Sequence, residues 1–228
     1  GRLATQRRCA LGDRSAVTDI LQGRSPACIG IGSVGDPDAA FMGFLRETAP
    51  VTEFSGSSPA PVRTRYADPG ALGIDRLANV VGVAALFPGR AVLAIDLGSC
   101  VTYDLVDALA MHHGGAISPG LRMRAHAMHA YGARLPEVEV PEDAAFLGTD
   151  TNTSLAAGIH HGLLMELQGM VHSFRQQHQG LAVVLTGGDA PRFARAMKSG
   201  IFAHPSLTLL GLHALLHYDP NGRPAAVS

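Results

Sequence analysis

The sequence predicts an α/β fold, because short apolar runs typical of buried strands alternate with longer segments of helical period. Residues 91–107 carry the clearest strand signal, an apolar run and then strict alternation on either side of a tight turn. Residues 151–179 carry the clearest helix signal, with apolar side chains recurring every three or four positions. A further apolar run at 181–185 leads through paired glycines into a helix. Strand, turn and helix therefore follow one another along the chain.

Composition narrows the class of protein. The 228 residues are 46% hydrophobic and 16% charged, which is typical of a globular chain long enough for two modest cores. The formal net charge of −1 gives no reason to expect a nucleic-acid surface or an anionic-membrane surface. We therefore expect small-molecule partners, with neither nucleic acid nor membrane among them.

The cysteines and the hydropathy pattern point to the cytoplasm. Cys9, Cys28 and Cys100 show no paired spacing and no disulfide framework, as in proteins of a reducing compartment. No run of 18 apolar residues occurs, and no signal-peptide pattern opens the sequence. We expect a cytoplasmic protein.

The first 64 residues predict a small α/β unit. An Asp36-Pro37 pair is typical of a helix N-cap followed by proline in the first turn. The Ser- and Pro-rich residues 50–61 predict a loop or linker. The predicted elements are a strand at 3–11, a helix at 15–22, a buried strand at 27–31 and a helix at 39–48.

Residues typical of a loop begin at Tyr66 and lead into a predicted helix, which Pro88 and Gly89 end. This places Asp75 and Arg76 at the helix N-terminus, where orphan N–H groups and the positive end of the helix dipole attract anions. The simpler alternatives are an N-cap for Asp75 and a surface charge for Arg76.

The turn between the two strands of 91–107 combines acidic, glycine and hydroxyl residues. Gly98 lets backbone approach a phosphate, and the hydroxyls of Ser99 and Thr102 are suited to face an anion. Asp96 and Asp104, at opposite ends of the hairpin, are candidates to hold a cation or orient water. An ordinary hairpin with a polar turn is the alternative.

Residues 112–120 predict a strand whose paired glycines either form a bulge or admit a ligand close to backbone. A helix at 121–131 follows. Its His126 and His129 lack an acidic or cysteine partner at metalloenzyme spacing, which argues against zinc. Residues 136–146 predict a mobile loop rich in proline and glutamate.

The last third of the chain holds two more helix N-termini. Residues 151–154 offer several N-caps for the long helix, whose small residues would allow another helix to approach closely. The segment 186–191 passes from strand to helix through Gly187 and Gly188, a geometry that brings N–H groups to a nucleotide or simply makes a tight turn. An apolar helix at 206–218 closes the chain.

Five motifs in order, GIDR, DLGSCVTYD, GGAISPG, DTNTS and TGGDA, resemble those of the type III pantothenate kinases. These belong to the actin, hexokinase and heat-shock ATPase superfamily, and the resemblance runs from Tyr66 to the final helix. It implies two actin-like (ribonuclease H-like) domains with mixed sheets flanked by helices. We expect the first over residues 1–70, the second over 71–218, and a tail at 219–228.

The resemblance also implies an activity, transfer of the ATP γ-phosphoryl group to the primary hydroxyl of pantothenate. This is the first step of coenzyme A biosynthesis. In the family the GIDR motif binds the substrate, so Gly73 and Ile74 would contact pantothenate, Asp75 would be the general base, and Arg76 would stabilise the transferring group. Tyr66, nine residues before Asp75, and Thr151 would contact pantothenate as well.

Nucleotide and ion roles follow by the same resemblance. Asp96 would bind potassium or ammonium, while the residues implied to contact ATP, which arrives with Mg²⁺, are Gly98, Ser99, Thr102, Gly187 and Gly188. The family resemblance and the small-residue face of the long helix further imply a homodimer with sites at the interface.

One departure from the family concerns its opening strand and Asp-x-Gly-Asn-Thr turn, which contact the ATP phosphates. No counterpart precedes Leu11, so residues 1–11 match the third strand of the first domain and its N-terminal strands are expected to be absent. Two alternative functions stay open, a non-catalytic regulator on the same fold and another small-molecule kinase of the superfamily.

Overall fold

The computed structural model describes residues 4–33, 35, 38–197 and 200–220. The described part contains seven α-helices, eight strands and a short 3₁₀-helix at Pro69–Ala71. The helices are α1 (Arg14–Leu21), α2 (Ala39–Thr48), α3 (Ile74–Leu86), α4 (Leu121–Tyr131), α5 (Thr151–Gln177), α6 (Ala190–Ala196) and α7 (Leu207–Leu216). The strands are β1 (Ile29–Gly32), β2 (Val51–Phe54), β3 (Arg63–Thr64), β4 (Val92–Leu97), β5 (Cys100–Val106), β6 (Met111–Pro119), β7 (Ala182–Thr186) and β8 (Ile201–Ala203).

Six strands form one mixed sheet in the order β3-β6-β5-β4-β7-β8. Strands β4, β5 and β6 are an antiparallel meander, while β7 runs parallel to β4 and β8 parallel to β7. Asp96 at the end of β4 is therefore paired with Thr186 at the end of β7. The turns that follow these two parallel strands emerge at the same edge of the sheet, which is where open α/β sheets bind ligands.

Helices cover both faces of this sheet, so its central strands are buried on both sides. Alternate residues of β4, such as Leu93 and Ile95, pack against α4, α5 and α6. The intervening residues, such as Val92 and Ala94, pack against α3 and α7. The polar side chains Asp96 and Asp104 share this second face and so lie under α3.

Helices α3 and α7 cross in close contact. A Cβ atom on Gly211 of α7 would overlap the carbonyl of Ala78 in α3, and one on Gly82 would approach the Leu207 carbonyl to 2.9 Å. These two glycines allow backbone-to-backbone packing that any side chain would prevent. The crossing fixes the angle at which α3 presents its N-terminus.

Strands β1 and β2 form a separate parallel pair. Phe54 of β2 and Leu212 of α7 pack against a cluster that includes Ile74 and Leu77 of α3. The small sheet thus lies beside the helix that carries the GIDR motif. The domain division at residue 70 stays a prediction, and β3, on its N-terminal side, pairs with β6 of the large sheet.

Most predicted elements are confirmed within two residues, but two are wrong. Residues 4–11 form no strand and are exposed; Arg7 and Arg8 interrupt the apolar pattern, and Arg7 instead pairs with Asp19 of α1 at 2.7 Å. The predicted loop at 50–61 contains strand β2, which pairs with β1 and whose Phe54 packs against the cluster formed by α3 and α7.

Two helix N-caps also differ from expectation. Helix α5 is capped by Asp150, whose side chain accepts from the Thr153 N–H while Thr153 reciprocates, a capping box one residue before the predicted set. Asp38 caps α2, and the predicted cap of Asp36 and Pro37 lies outside the described residues. Across the part of the chain that the structure describes, every helix is too short or too polar to cross a lipid bilayer.

Candidate active site

The N-terminus of α3 presents Asp75 to solvent. Gly73 is the N-cap and makes no side-chain cap, Ile74 is buried in the core, and Asp75 in the first turn is exposed. Asp75 Oδ1 accepts a hydrogen bond from the Arg76 N–H at 2.9 Å. The predicted N-cap role of Asp75 is therefore wrong, because Gly73 holds that position, and one carboxylate oxygen stays available to a ligand.

Arg76 points inward from the same helical turn. Its Nη2 donates to Asp104 Oδ1 at 2.7 Å, and its Nε lies 3.1 and 3.2 Å from the two carboxylate oxygens. The exposed side-chain fractions are 6% for Arg76 and 1% for Asp104. Burial opposes the charge on Arg76, but the bonds and charge of Asp104 outweigh it and raise the pKa of the guanidinium. Arg76 is thus a buried charge, and the surface-charge alternative is wrong.

Tyr66 joins this pair from the loop before α3. Its hydroxyl accepts from Arg76 Nη1 at 3.2 Å, and the guanidinium carbon lies 5.3 Å from the ring centroid, within cation–π range. The ring also stacks on His112 of β6, with centroids 6.3 Å apart. The structure therefore brings Tyr66, Gly73, Ile74, Asp75 and Arg76 together around one helix N-terminus.

Asp96 lies below α3 at the end of β4. Its Oδ2 accepts from Asn79 Nδ2 at 2.9 Å, and Asn79 in turn accepts from the Thr208 hydroxyl. Burial raises the pKa of Asp96; the Asn79 bond lowers it, but the charges of Asp75 and Asp104 raise it further. The negative charge of this carboxylate is therefore disfavoured by its surroundings, and a nearby cation would stabilise it.

Asp104, in contrast, is not free to bind a cation. Both of its oxygens accept from Arg76, and Oδ1 also lies 2.9 Å from His112 Nε2. The prediction that Asp104 could hold a cation or orient water is wrong for this reason. Among residues 4–33, 35, 38–197 and 200–220, no group of three or more His, Cys, Asp and Glu side chains is arranged to hold a metal ion.

A cleft of about 470 Å³ opens where the turns after β4 and β7 meet. The Asp189 N–H donates to the Leu97 carbonyl at 3.0 Å, which ties the two turns together. Gly187 has φ +92°, and a Cβ on it would lie 2.5 Å from Asp96 Oδ1. The lining residues are Arg8, Leu97, Gly98, Ser99, Arg122, Met123, Gly188 and Asp189.

The cleft combines glycine backbone, a hydroxyl and two arginines, which suits an anionic ligand. The predicted nucleotide residues Gly98, Ser99 and Gly188 line it, and Gly187 adjoins it. Thr102 lies apart, buried in β5 opposite Asp96 on the α3 side of the sheet. Burial raises the pKa of Asp189, although the charges of Arg192 and Arg122 oppose the shift.

Thr151 lines a different cleft, of about 650 Å³, at the N-terminus of α5. Its neighbours there include Met128 and Leu135 from the end of α4 and the loop that follows it. The structure therefore places Thr151 in a cleft whose lining shares no residue with the groups around Asp75. The roles predicted for these residues by resemblance stay predictions.

Sequence reasoning missed the polar residues that support the site. His112 is fully buried between Asp104 and Thr64, and Asn79 is 1% exposed. A signal for each was present: Asn79 is a polar residue four positions after Asp75 in an apolar helix, and His112 opens the strand that pairs with β5. A second missed group is Glu166 of α5, which accepts from Tyr103, Ser118 and Arg124.

A mixed sheet of this order, with two glycine turns around a cleft suited to anions and an aspartate at a nearby helix N-terminus, is an arrangement suited to phosphoryl transfer. The sequence model of the type III pantothenate kinases matches residues 18–173. The chain therefore belongs to the type III pantothenate kinase family.

Curated relatives in the same family cover most of the chain. The chain is 42% identical over 174 residues to the type III pantothenate kinase of Bacteroides fragilis, which covers 76% of this chain and 71% of the relative. It is 40% identical over 191 residues to that of Porphyromonas gingivalis, covering 82% and 78%. A solved structure from Campylobacter jejuni, assigned to the Baf family of transcriptional activators, superposes with a TM-score of 0.56 at 20% identity, covering 90% of this chain and 89% of that one. The last likeness shows the fold alone.

Proposed function

We propose that this protein transfers the γ-phosphoryl group of ATP to the primary hydroxyl of pantothenate, giving 4'-phosphopantothenate in the first step of coenzyme A biosynthesis. Family membership supports this reaction. The observation that carries it is the pairing, in one helical turn, of an exposed aspartate with a buried arginine. An alcohol phosphotransferase requires a proton acceptor and a fixed positive charge at the same place.

Asp75 acts as the general base in this proposal. A primary alcohol is a poor nucleophile at neutral pH, so a carboxylate within hydrogen-bond reach accepts its proton as the bond to phosphorus forms. The Arg76 N–H orients Asp75 through Oδ1, which leaves Oδ2 for the substrate hydroxyl. Tyr66, Gly73 and Ile74 shape the pantothenate pocket around it.

Arg76 and the cleft supply positive potential for the transferring group. The guanidinium is held by Asp104 and so needs little reorganisation when charge develops on the equatorial phosphoryl oxygens. Gly98, Ser99, Gly187 and Gly188 contact ATP at the turns, with Thr102 behind them in β5. The nucleotide brings Mg²⁺, which neutralises phosphate charge, and no covalent enzyme intermediate is needed.

Asp96 holds a monovalent cation, potassium or ammonium, in this proposal. Partial burial raises the pKa of Asp96, and the hydrogen bond that the Asn79 amide donates to its carboxylate only partly offsets the shift. One carboxylate cannot complete a cation shell, so the remaining ligands would be backbone, water or phosphate oxygens. A weakly held, oxygen-coordinated ion fits this chemistry better than a transition metal does.

The protein works as a cytoplasmic homodimer in this proposal, without nucleic-acid or membrane partners. Thr151 is a predicted pantothenate contact, yet it lines a different cleft from the groups around Asp75. A second copy would supply its own Thr151 to the first copy's site. Large exposed apolar side chains beside that cleft support an interface there, namely Met128, Tyr131, Phe146 and Leu147.

A substrate panel tests the proposal. The purified protein is incubated with Mg-ATP in potassium buffer and with pantothenate, pantetheine or simple sugars, and products are followed by phosphorus NMR. We expect phosphorylation of pantothenate at its primary hydroxyl. Phosphorylation of a sugar alone would indicate another kinase of the superfamily, and no transfer to any acceptor would favour a non-catalytic role.

A further inference from the structure

A closed ring of hydrogen bonds surrounds the buried face of the site. Starting at Tyr66, the backbone N–H donates to Thr64 Oγ1 at 3.0 Å, and Thr64 Oγ1 lies 2.9 Å from His112 Nδ1. His112 Nε2 lies 2.9 Å from Asp104 Oδ1, and Asp104 accepts from Arg76. Arg76 Nη1 donates to the Tyr66 hydroxyl at 3.2 Å, which returns the ring to its starting residue.

Donors and acceptors around the ring assign the proton on His112. A carboxylate bonded to a guanidinium is an acceptor, so His112 Nε2 carries a proton and donates to Asp104. In the neutral imidazole Nδ1 then bears no proton and accepts from the Thr64 hydroxyl, whose oxygen also accepts the Tyr66 N–H. Every member of the ring has a partner, which a network buried to this depth requires.

The ring fixes Arg76 and Tyr66, the two groups that the proposed function assigns to the buried side of the substrate pocket. Arg76 has a long side chain, and three bonds to Asp104 set the plane of its guanidinium. Asp104 needs a second donor to hold its own orientation, and His112, with 0% of its side chain exposed, provides it. Tyr66 is held at both ends, by its backbone N–H and by its hydroxyl.

We propose that His112 and Asp104 are positioning residues, which lock the Arg76 guanidinium and the Tyr66 ring in the geometry that binds pantothenate and its transferring phosphoryl group. Neither touches the substrate in this account; they act through Arg76 and Tyr66. The inference rests on the proposed function for its consequence in catalysis, and on the described hydrogen bonds for the ring itself.

Four variants isolate the role of His112. His112→Phe keeps an aromatic ring against Tyr66 and removes both nitrogens, whereas His112→Gln retains an N–H at about the distance of Nε2. His113→Phe is the matched control, because the neighbouring His113 is half-buried and pairs with Asp107 at 2.7 Å, outside the ring. Thr64→Val gives a smaller change in the same ring should His112→Phe fold poorly.

Steady-state kinetics provide the first readout. In His112→Phe we expect KM for pantothenate to rise and kcat to fall, each by roughly 10- to 100-fold, since displacement of a positioned group by about 1 Å has effects of this size. KM for ATP should stay near the wild-type value, because the glycine turns lie outside the ring. His112→Gln should recover most of the loss. The proposal would be overturned if His112→Gln lost as much activity as His112→Phe, or if His113→Phe showed the same loss.

Nitrogen NMR provides a readout independent of activity. The Arg76 Nε–H signal should exchange slowly with solvent in the wild type and in His112→Gln, and should broaden or exchange rapidly in His112→Phe and Thr64→Val. The His112 ring shifts should show the proton on Nε2. An Arg76 signal unchanged in all four variants would overturn the proposal, even where the substrate panel supports kinase activity. If the wild-type protein phosphorylates no acceptor of the panel, the proposed function is wrong. The Arg76 signal would still show whether His112 and Thr64 hold the guanidinium in place.

Discussion

The charges of Arg76, in α3, and of Asp96, below this helix, are balanced by neighbouring groups to different degrees. Arg76 forms an ion pair with Asp104, and that pair is further supported by His112. Asp96 accepts one amide hydrogen bond and lies near two further carboxylates, so burial and repulsion raise its pKa. An uncompensated buried charge costs stability, and such costs are typical of functional groups.

The raised pKa of Asp96 predicts a stability effect with a defined sign. The folded protein holds the Asp96 proton more tightly than the unfolded chain does. The free energy of unfolding therefore falls as pH rises from the ordinary carboxyl range through the raised pKa of Asp96. Asp96→Asn should therefore raise the thermal midpoint at pH 7, and the gain should shrink as pH falls toward 4. The variant should also lose any stimulation by potassium over sodium. Calorimetry across pH and rates in the two salts measure both effects.

Asp107 supplies the matched control for this substitution. Its hydrogen bond with His113, aided by two backbone hydrogen bonds, lowers its pKa despite the opposing effect of burial, so Asp107→Asn should not raise the midpoint at neutral pH. A midpoint for Asp96→Asn at or below the wild-type value would contradict the account of Asp96 as an uncompensated charge. Equal rates in sodium and potassium for the wild type would remove its role in cation binding.

The turns after β4 and β7 form one unit rather than two. Their backbones are joined from Asp189 to Leu97, and Gly187 fits between them with a positive φ. No L side chain is comfortable there, both because of the backbone conformation and because a Cβ would meet Leu97 and Asp96. The cleft exists only while these two turns stay in register.

Gly187→Ala should consequently lower nucleotide affinity and stability together. A positive φ costs an alanine about 1–2 kcal/mol, and the overlap with Leu97 adds to that. Gly43→Ala is the control, because Gly43 lies inside helix α2 with open space around its Cβ position, and should gain roughly 0.5–1 kcal/mol. Urea unfolding and ATP titration compare the two. A Gly187→Ala protein with wild-type ATP affinity would place the nucleotide elsewhere.

Sequence patterns predicted the helices and strands with strong apolar periodicity. They missed the short strands that form only by pairing with an adjacent strand. Helices α2 and α5 and strands β4 to β7 were expected nearly as found, because apolar spacing reports burial directly. Strands β3 and β8 were not expected, since two- and three-residue strands depend on hydrogen bonds to β6 and β7. The strand expected at residues 3–11 is absent from the described residues 4–11, because they have no paired neighbour.

The motifs of the site could be predicted from the sequence, but the hydrogen-bond partners of its side chains could not. Asp75 and Asp96 stand in recognisable motifs, but the partner of Arg76 is 28 residues away in sequence and the ring through His112 joins four elements, β3, β5, β6 and α3. Pairing at this separation depends on how β5, β6 and α3 pack. The alternative that Arg76 is a surface charge was wrong for that reason.

Helix α5 has an exposed face of small residues that is open in a single chain. Gly158, Gly162 and Gly169 fall on one exposed face, with no atom within 4 Å of their Cβ positions, and exposed Met165 lies among them. Thr151 begins the same helix beside its separate cleft. A second copy packed along α5 would cover this face, consistent with the proposed homodimer.

A graded series at Gly162 tests this assembly. Gly162→Ala should leave the assembly intact and, like Gly43→Ala, raise the stability of a single chain by roughly 0.5–1 kcal/mol, because the position is helical and open. Gly162→Leu should separate the subunits if another helix lies against it. Light scattering should show a dimer for the wild type and a monomer for Gly162→Leu, with weaker pantothenate binding by calorimetry. A dimer unaffected by Gly162→Leu would move the interface elsewhere.

The turnover of Asp75→Asn, measured with Mg-ATP and pantothenate beside the wild type, tests most directly whether the N-terminus of α3 is the site of phosphoryl transfer. Asparagine keeps the size of the side chain and an oxygen that can accept the Arg76 N–H, but it cannot take a proton from the substrate hydroxyl. We expect kcat to fall by roughly 10² to 10⁴, with an unchanged thermal midpoint and pantothenate still bound. Near-wild-type turnover in a folded Asp75→Asn protein would contradict this account and leave Asp75 a structural residue.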